Sequence, residues 1–292
     1  MVRIVVLGNA VLDHRVWVDE WPPARGRMSA TAWVEDLGGS GAVAAAAISR
    51  MGGAACFIGR RGDDAAGERV AAFFQNHGVD ARYFTIDPAA KTAASSIVVV
   101  PGGERFIFAY PGEGLRDDPG WVPLDALIGT GAVLVDTRFP RAGAALAAAA
   151  RTRGISVVMD FDVDAAEPWA LARAATHVIA DEDLARRAGG VEVLLERLHA
   201  AGVWGAVTLG AGGVVHRHGR VPAFKVRAHD TTGAGDVFHG AFALGLADGQ
   251  DPETALTFAS AAAAVRCATG HIPDRRAVDR LRGVGPTGAP DG

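Results

Sequence analysis

The sequence predicts an α/β protein, a doubly wound, mostly parallel sheet with one small β-sheet standing beside it. Three observations predict this class. From 132 to 209, short apolar runs alternate with Ala-rich helical segments through brief connections, the pattern of parallel strands covered on both faces. Two stretches, 14–36 and 91–112, break that alternation with aromatic and β-branched residues and no helical period. Near the C-terminal end a run of small residues, Asp230 to Asp236, leads directly into an apolar, Ala-rich helix.

Taken in order, Ile4-Val5-Val6-Leu7, ended by Gly8, reads as a first buried strand. Trp17, Trp21, Pro22, Pro23 and Trp33 mark the first interruption. A helix over 42–51 stops at Gly52-Gly53, a strand covers 55–58, and a helix over 66–77 closes at Gly78. Ser95 to Val100 and Arg105 to Phe108, separated by Pro101-Gly102-Gly103, form a hairpin with a glycine turn. Strands at 132–136, 155–160, 177–180 and 206–209 then alternate with helices at 141–152, 167–174, 183–188 and 191–201. Helices at 236–247 and 252–266 follow, and the Gly/Pro-rich stretch 283–292 predicts a disordered tail. The expected organisation is a core over 1–13, 37–90 and 113–282, with the small sheet over 14–36 and 91–112.

Composition removes several functions. The 292 residues, 49% of them hydrophobic, suffice for one large core. A net charge of −4 offers no basic field for nucleic acid. Met1 to Leu12 is too short and too soon interrupted for a signal peptide, and no window approaches a membrane span. Cys56 and Cys267 lie far apart among apolar residues and read as buried thiols, so a cytoplasmic protein is expected. Only Lys91 and Lys225 are lysines, and neither sits in a P-loop or in a protein-kinase strand motif. The dinucleotide-like Gly8-Asn9-Ala10-Val11-Leu12-Asp13 lacks the second and third glycines.

The stretch Asp230-Thr231-Thr232-Gly233-Ala234-Gly235-Asp236 is where anion chemistry is expected. Small residues let the backbone turn tightly, so that several N–H groups point one way with a helix N-terminus behind them. Such a corner suits a phosphoryl group in transfer. Asp236 stands at the start of the helix, where a carboxylate serves either as an N-cap or as the base for a nearby hydroxyl.

That stretch, continued through Val237-Phe238-His239-Gly240-Ala241-Phe242, resembles the C-terminal signature of the ribokinase-like (PfkB) carbohydrate kinases. Gly38-Gly39-Ser40-Gly41-Ala42-Val43-Ala44-Ala45-Ala46 resembles the first signature of the same family, and Gly59-Arg60-Arg61-Gly62-Asp63-Asp64 is a further family-like phrase. The resemblance spans about residues 3 to 281. It implies an ATP- and Mg²⁺-dependent kinase acting on a primary hydroxyl of a small sugar, with the small sheet as a lid over the sugar. It implies Asp236 as catalytic base and Gly233, Ala234 and Gly235 as the anion hole for the transferred group.

For the sugar the resemblance implies Asp13, Gly38 and Gly39; Asp13 alone also reads as a turn-forming residue. Val43 stands where many relatives have an Asn that contacts substrate, which bears against a ribose-like hydroxyl pattern. Thr208, Gly210 and Gly212, in Thr208-Leu209-Gly210-Ala211-Gly212-Gly213, resemble the nucleotide loop, with Thr232 and Gly235 on the same ligand; a plain β-turn is the alternative. The family's Mg²⁺-orienting Asn-x-x-Glu falls on Ala180-Asp181-Glu182-Asp183, which leaves Asp183, with Glu182 as rival and a helix N-cap as the bland alternative. Asp160 and Asp162 end a strand, in a run whose Ala165 and Leu171 exclude a calcium loop; a role for either beside Mg²⁺ and the phosphates, and a solvated loop, both stay open. Many relatives also hold K⁺ between the Asp230 loop and the segment Cys267 to His271, which is shortened here.

Within the family the phrases Pro222 to Val226, Asp236 to Gly240 and Asp136-Thr137-Arg138 are most similar to 6-deoxy-6-sulfofructose kinases. Arg138 and Arg27 would then grip an anionic substituent of a fructose-like sugar, since guanidinium groups bind sulfonate, carboxylate or phosphate in bidentate fashion; a surface position or a pairing with Asp136 is the alternative for either. Ala109 departs from the Asn of those kinases. Fructose-, ribose- and 2-keto-3-deoxygluconate-type kinases are the alternatives, and a non-catalytic sugar or nucleotide sensor on the same fold is another. A homodimer through the lid is expected, because exposed strand surfaces invite pairing.

Overall fold

The computed structural model describes residues 1–20, 26–101 and 104–285. The central sheet grows from β1 (Arg3–Leu7), whose four-residue apolar run is buried throughout. On one side β1 pairs in parallel with β4 (Ala54–Arg61), which pairs with β5 (Asp80–Ile86). On the other side come β8 (Thr130–Val135), β9 (Ser156–Phe161), β10 (His177–Asp181) and β11 (Trp204–Thr208), all parallel. An antiparallel edge of β12 (Val214–His216) and β13 (Gly219–Val221) completes nine strands in the order β13-β12-β11-β10-β9-β8-β1-β4-β5.

The two-residue period of the strands divides the interior into two cores. Ile4 and Val6, with Ala132 and Leu134, face one side. There α1 (Ser40–Arg50), α2 (Ala65–Asn76), α7 (Ala234–Ala247) and α8 (Pro252–Thr269) cover them. Val5 and Leu7, with Val133 and Val135, face the other side, under α3 (Pro140–Arg151), α4 (Ala166–Ala174), α5 (Glu182–Arg187) and α6 (Val191–Ala200). Helix α9 (Arg275–Val284) follows α8. The helix pair α1 and α7 packs so closely that a Cβ on Gly240 would stand 2.7 Å from the Ala44 carbonyl oxygen.

A second sheet of four strands has the order β3-β2-β6-β7. Strand β2 (Val11–Trp17) pairs antiparallel with β3 (Ala32–Gly38) and parallel with β6 (Ala93–Val99), which forms the predicted hairpin with β7 (Arg105–Tyr110). Trp17, Trp33, Phe106 and Phe108 all lie on strands of this sheet. Trp21, Pro22, Pro23 and the glycine turn at 102 and 103 lie outside the described residues, as does 286–292 of the expected tail.

Several boundaries differ from the sequence reading. Strand β2 begins at Val11, so Asp13 is its third residue and not a loop residue after β1. The expected lid boundaries at 13/14 and 36/37 therefore fall inside β2 and β3. Strand β4 runs through Gly59 to Arg61. Helix α8 continues to Thr269, where Gly270 ends it at φ 72°, so most of the segment from Cys267 to His271 is helix. Strands β5, β12 and β13 and helix α9 were not expected; Gly283 and Val284 end α9 and are not part of a tail.

Candidate active site

The site is built where the carboxyl ends of the parallel strands, the small sheet and the start of α7 meet, as ligand sites in such folds are. Thr232-Gly233 turns the chain into α7: Gly233 is the cap residue, left-handed at φ 72°, a conformation that favours glycine. Helix α7 begins at Ala234, two residues earlier than predicted, so Asp236 lies in its first turn and is not the cap. Ala234 and Gly235 therefore head a helix whose first N–H groups lack intrahelical acceptors. Gly235 is exposed, and nothing lies within 4 Å of where its Cβ would be.

Upstream, Asp230 fixes the turn. Its Oδ1 accepts from the Thr232 N–H at 2.8 Å and the Thr232 hydroxyl at 2.6 Å. The N–H groups of His229 and Asp230 donate to the Cys267 carbonyl at 2.7 and 3.1 Å, joining the turn to the end of α8.

Asp236 opens into a cavity of ≈ 270 Å³ with Asp13, Gly38, Gly39, Val43, Thr232 and Gly233. Burial, reinforced by Asp160, pushes the Asp236 carboxyl up to about 7, with His239 opposing the rise. Asp13, 8% exposed, is likewise pushed up to about 6 by burial, against the pull of Arg15. Two carboxyls near neutral pH in one cavity suit proton transfer and hydroxyl binding. Glycine at 39 is required twice, by φ 88° and by the Asn9 carbonyl 2.7 Å from its would-be Cβ. A second cavity of ≈ 640 Å³ adjoins beneath the small sheet and shares Arg15, Asp36, Thr232, Gly270 and His271 with the first.

The remaining predicted residues lie elsewhere. Arg27 is exposed and does not line either cavity. Arg138 does not line them either; its guanidinium donates to the Pro111 carbonyl at 2.7 Å and lies over the Phe139 ring. Thr208 ends β11, its hydroxyl donating to the Ala180 carbonyl at 3.3 Å, and Gly210 to Gly212 form the next turn, outside both cavities. Asp183 is exposed and paired with Arg186 at 3.0 Å, while the cap of α5 is Asp181. Asp162 accepts from the Thr137 hydroxyl.

The whole architecture, this loop included, recurs in a known family: residues 1–271 match the pfkB family carbohydrate kinases. The chain belongs to that family. Among its relatives, fructokinase-1 of Zea mays is 32% identical over 240 residues, 73% of this chain and 74% of that protein. The ribokinase of Bacillus subtilis (strain 168) is 27% identical over 294 residues, 96% of this chain and 99% of that one. Among solved structures, Arabidopsis thaliana ribokinase complexed with ribose and ATP superposes with a TM-score of 0.82 at 26% identity, covering 96% of this chain and 99% of the other. This carbohydrate kinase is thus a sugar phosphotransferase with a large, mostly parallel sheet and a small sheet as its lid.

Sequence reasoning did not find every residue that shapes the kinase site. Asp136, 4% exposed, accepts from the N–H groups of Asn9 at 2.6 Å, Arg138 at 2.9 Å and Gly41 at 3.0 Å. It thereby ties the β1–β2 turn and the start of α1 to the end of β8, although burial pushes its carboxyl up to about 6. Arg15, Arg105 and Arg266 were also missed. An arginine inside the Ala-rich run of α8 was the one visible signal for Arg266.

Proposed function

We propose that this kinase transfers the γ-phosphoryl group of ATP to a primary hydroxyl of a small sugar held in the ≈ 270 Å³ cavity. Asp236 takes the hydroxyl proton, the sugar oxygen bonds to phosphorus, and the bond to the bridging oxygen breaks to leave ADP. The observation that carries this reading is the meeting, in one cavity, of Asp236 with its carboxyl near 7, the left-handed Gly233, and Asp13 beside Gly38 and Gly39. The α7 N-terminus with Gly233, Ala234 and Gly235 forms the anion hole, and Asp13, Gly38 and Gly39 bind sugar hydroxyls. Thr208, Gly210, Gly212, Thr232 and Gly235 bind the nucleotide. The Arabidopsis ribokinase complex with ribose and ATP supports both ligands.

Magnesium would be held by Asp160, the penultimate residue of β9, and Asp162, the first residue past it. Asp160 is driven well above the usual carboxylate range by burial and by Asp162, Asp136 and Asp181 together, a field that a divalent cation relieves. Mg²⁺ keeps most of its waters and needs one or two carboxylates, which Asp160 and Asp162 would supply, with Asp183, exposed in the first turn of α5, as the alternative. When bound, it would neutralise charge on the nucleotide phosphates.

A neutral fructose- or ribose-like sugar is the first reading of the substrate. Arg27 and Arg138, expected to read an anion, do not line the cavity, and the arginines that do so include Arg15 and Arg266, which lie against Asp36 and Asp230. An anionic fructose-like sugar such as 6-deoxy-6-sulfofructose is the second reading, favoured by the buried Arg15 Nε, which has no hydrogen-bond partner among the described residues. A cytoplasmic homodimer joined through the lid completes the proposal, supported by Trp33 and Phe108, 58% and 62% exposed on the small sheet. Among the described residues no helix is long and apolar enough to cross a membrane.

The deciding experiment measures ADP release with ATP, Mg²⁺ and a panel of ribose, fructose, 2-keto-3-deoxygluconate and 6-sulfo or 6-carboxy fructose analogues. Turnover of one sugar well above the others names the substrate. ATP and sugar binding without ADP release would instead make the protein a sensor.

A further inference from the structure

The oxygens of the anion loop already face fixed cations. Asp230 meets Arg105 Nη1 at 2.8 Å, Arg15 Nη1 at 3.4 Å and Arg266 Nη2 at 4.0 Å. Arg15 and Arg105 come from β2 and β7 of the lid, and Arg266 comes from the last turn of α8. Arg266 Nε also donates to the Thr232 carbonyl at 2.8 Å, and Arg105 Nη2 donates to the Thr231 hydroxyl at 2.8 Å. Arg266 is only 5% exposed. Burial alone would raise the Asp230 carboxyl; the two Thr232 hydrogen bonds and the Arg266 and Arg15 charges hold it below its usual range instead.

This arrangement does not fit the K⁺ that the family resemblance implies beside Asp230. An alkali cation needs several free oxygens. Here the Asp230 carboxylate and the Thr232 carbonyl are engaged by guanidinium groups, and an added ion would join three positive charges around one carboxylate.

We propose that Arg266 is the tethered cation of this loop, so that turnover requires no monovalent cation from solution. Its Nε holds the Thr232 carbonyl and so fixes the peptide that leads into Gly233. Its charge, placed behind the left-handed turn, favours an anion at the head of α7. The Cβ position of Gly233 lies 3.7 Å from Arg266 Nε and 3.6 Å from an Asp236 carboxylate oxygen, so this guanidinium stands against the same residue as the base. Arg266 is a positioning residue: it acts through Thr232 and Gly233. Arg15 and Arg105, contributed by the lid, complete the charge around Asp230 when the lid lies over the site, as in this structure.

The inference rests on the proposed phosphoryl transfer, and its test has an arm that does not. ADP affinity is measured by calorimetry, and ADP release is measured with the preferred sugar, each in the chloride salts of K⁺, Na⁺ and N-methylglucamine at equal ionic strength. The expected result for the parent is the same affinity and the same rate in all three salts. Stronger binding or faster turnover specific to K⁺ would overturn the proposal. If no sugar is turned over, the phosphoryl-transfer reading fails while the affinity arm still decides this one. In Arg266→Gln, with melting confirming the fold, kcat should fall about 10²-fold, the scale for losing one stabilising group, with the KM for sugar little changed. Arg266→Lys should restore part of kcat, and guanidinium or K⁺ at non-denaturing concentration should raise the rate of Arg266→Gln but not of the parent. A folded Arg266→Gln that keeps full kcat, or whose loss no added cation relieves, would also overturn it. If Arg266→Gln does not fold, the parent salt series decides.

Discussion

Asp13 and Gly38, on the neighbouring strands β2 and β3, stand so close that a Cβ on residue 38 would occupy the space of the Asp13 carboxylate. The missing side chain is what lets Asp13 lie where it lines the cavity. Gly38→Ala should therefore displace the carboxylate and raise the KM for sugar about tenfold or more, the scale of one misplaced polar contact. Melting temperature should change little, because the small sheet keeps its ladder. Steady-state kinetics with sugar varied checks it, and an unchanged KM would remove Asp13 from the sugar site.

Asp236→Asn should lower kcat by about 10²–10⁴-fold, the range for losing a general base, while ATP binding persists. The same substitution should raise stability in a pH-dependent way. The folded-state carboxyl lies near 7, above its ordinary value of 3.8, so the stabilisation from its protonated form is complete below 3.8 and is lost as pH rises through 7. The neutral amide escapes that loss. Melting curves at pH 5 and pH 8 should show the variant gaining over the parent at the higher pH; an equal difference at both would refute the buried charge.

The pH profile of the parent follows from the same groups. Below about 7 Asp236 is protonated and cannot accept the hydroxyl proton, so log kcat/KM should fall with decreasing pH. Below about 6 the fall should steepen as Asp13 gains its proton. A profile flat from pH 5 to pH 8 would exclude Asp236 as the base.

Gly240→Ala should destabilise the fold by about 1–3 kcal/mol, the usual effect of overpacking a close contact. The obstacle is the Ala44 carbonyl of α1, a backbone atom 2.7 Å from the new Cβ, which cannot rotate away. Urea unfolding checks it, and the parent value would show that α1 and α7 can separate at no cost.

The features readable in the sequence were those with a local cause. The Gly233 turn and the helix behind it follow from small residues placed before an apolar run, and the parallel alternation from 132 to 209 follows from period and connection length. Strand β5, Asp80–Ile86, escaped because its polar and aromatic residues follow no clean alternation at the sheet edge. Strands β12 and β13 have three residues each, too few to carry a period. Helix α9 is strongly charged, and little beyond Val278 and Leu281 betrays its buried side.

At the site the distinction is sharper. Asp236 and Gly233 were legible because their neighbours in sequence are their neighbours in space. The arginines around Asp230 were not: Arg15 and Arg105 lie 215 and 125 residues from it, and no local pattern records that closure. Arg138 was placed correctly at the end of β8, yet its direction, toward Pro111 and away from the cavity, depends on a segment distant in sequence.

The position of β1 in the middle of the sheet bears on how the chain is made. Strand β1 pairs with β8, which ends at residue 135, and the apolar side of α1 is covered by α7, which starts at residue 234. A ribosome adding about 5–20 residues per second exposes Ala42 to Ile48 for many seconds before their cover exists. The anion loop at 230–236 emerges long after α1, so no nascent chain can turn over substrate before that loop has been made. A chain cut before α7 should leave the apolar side of α1 uncovered and prone to aggregate, the consequence of a topology that closes distant segments on one another at the active site.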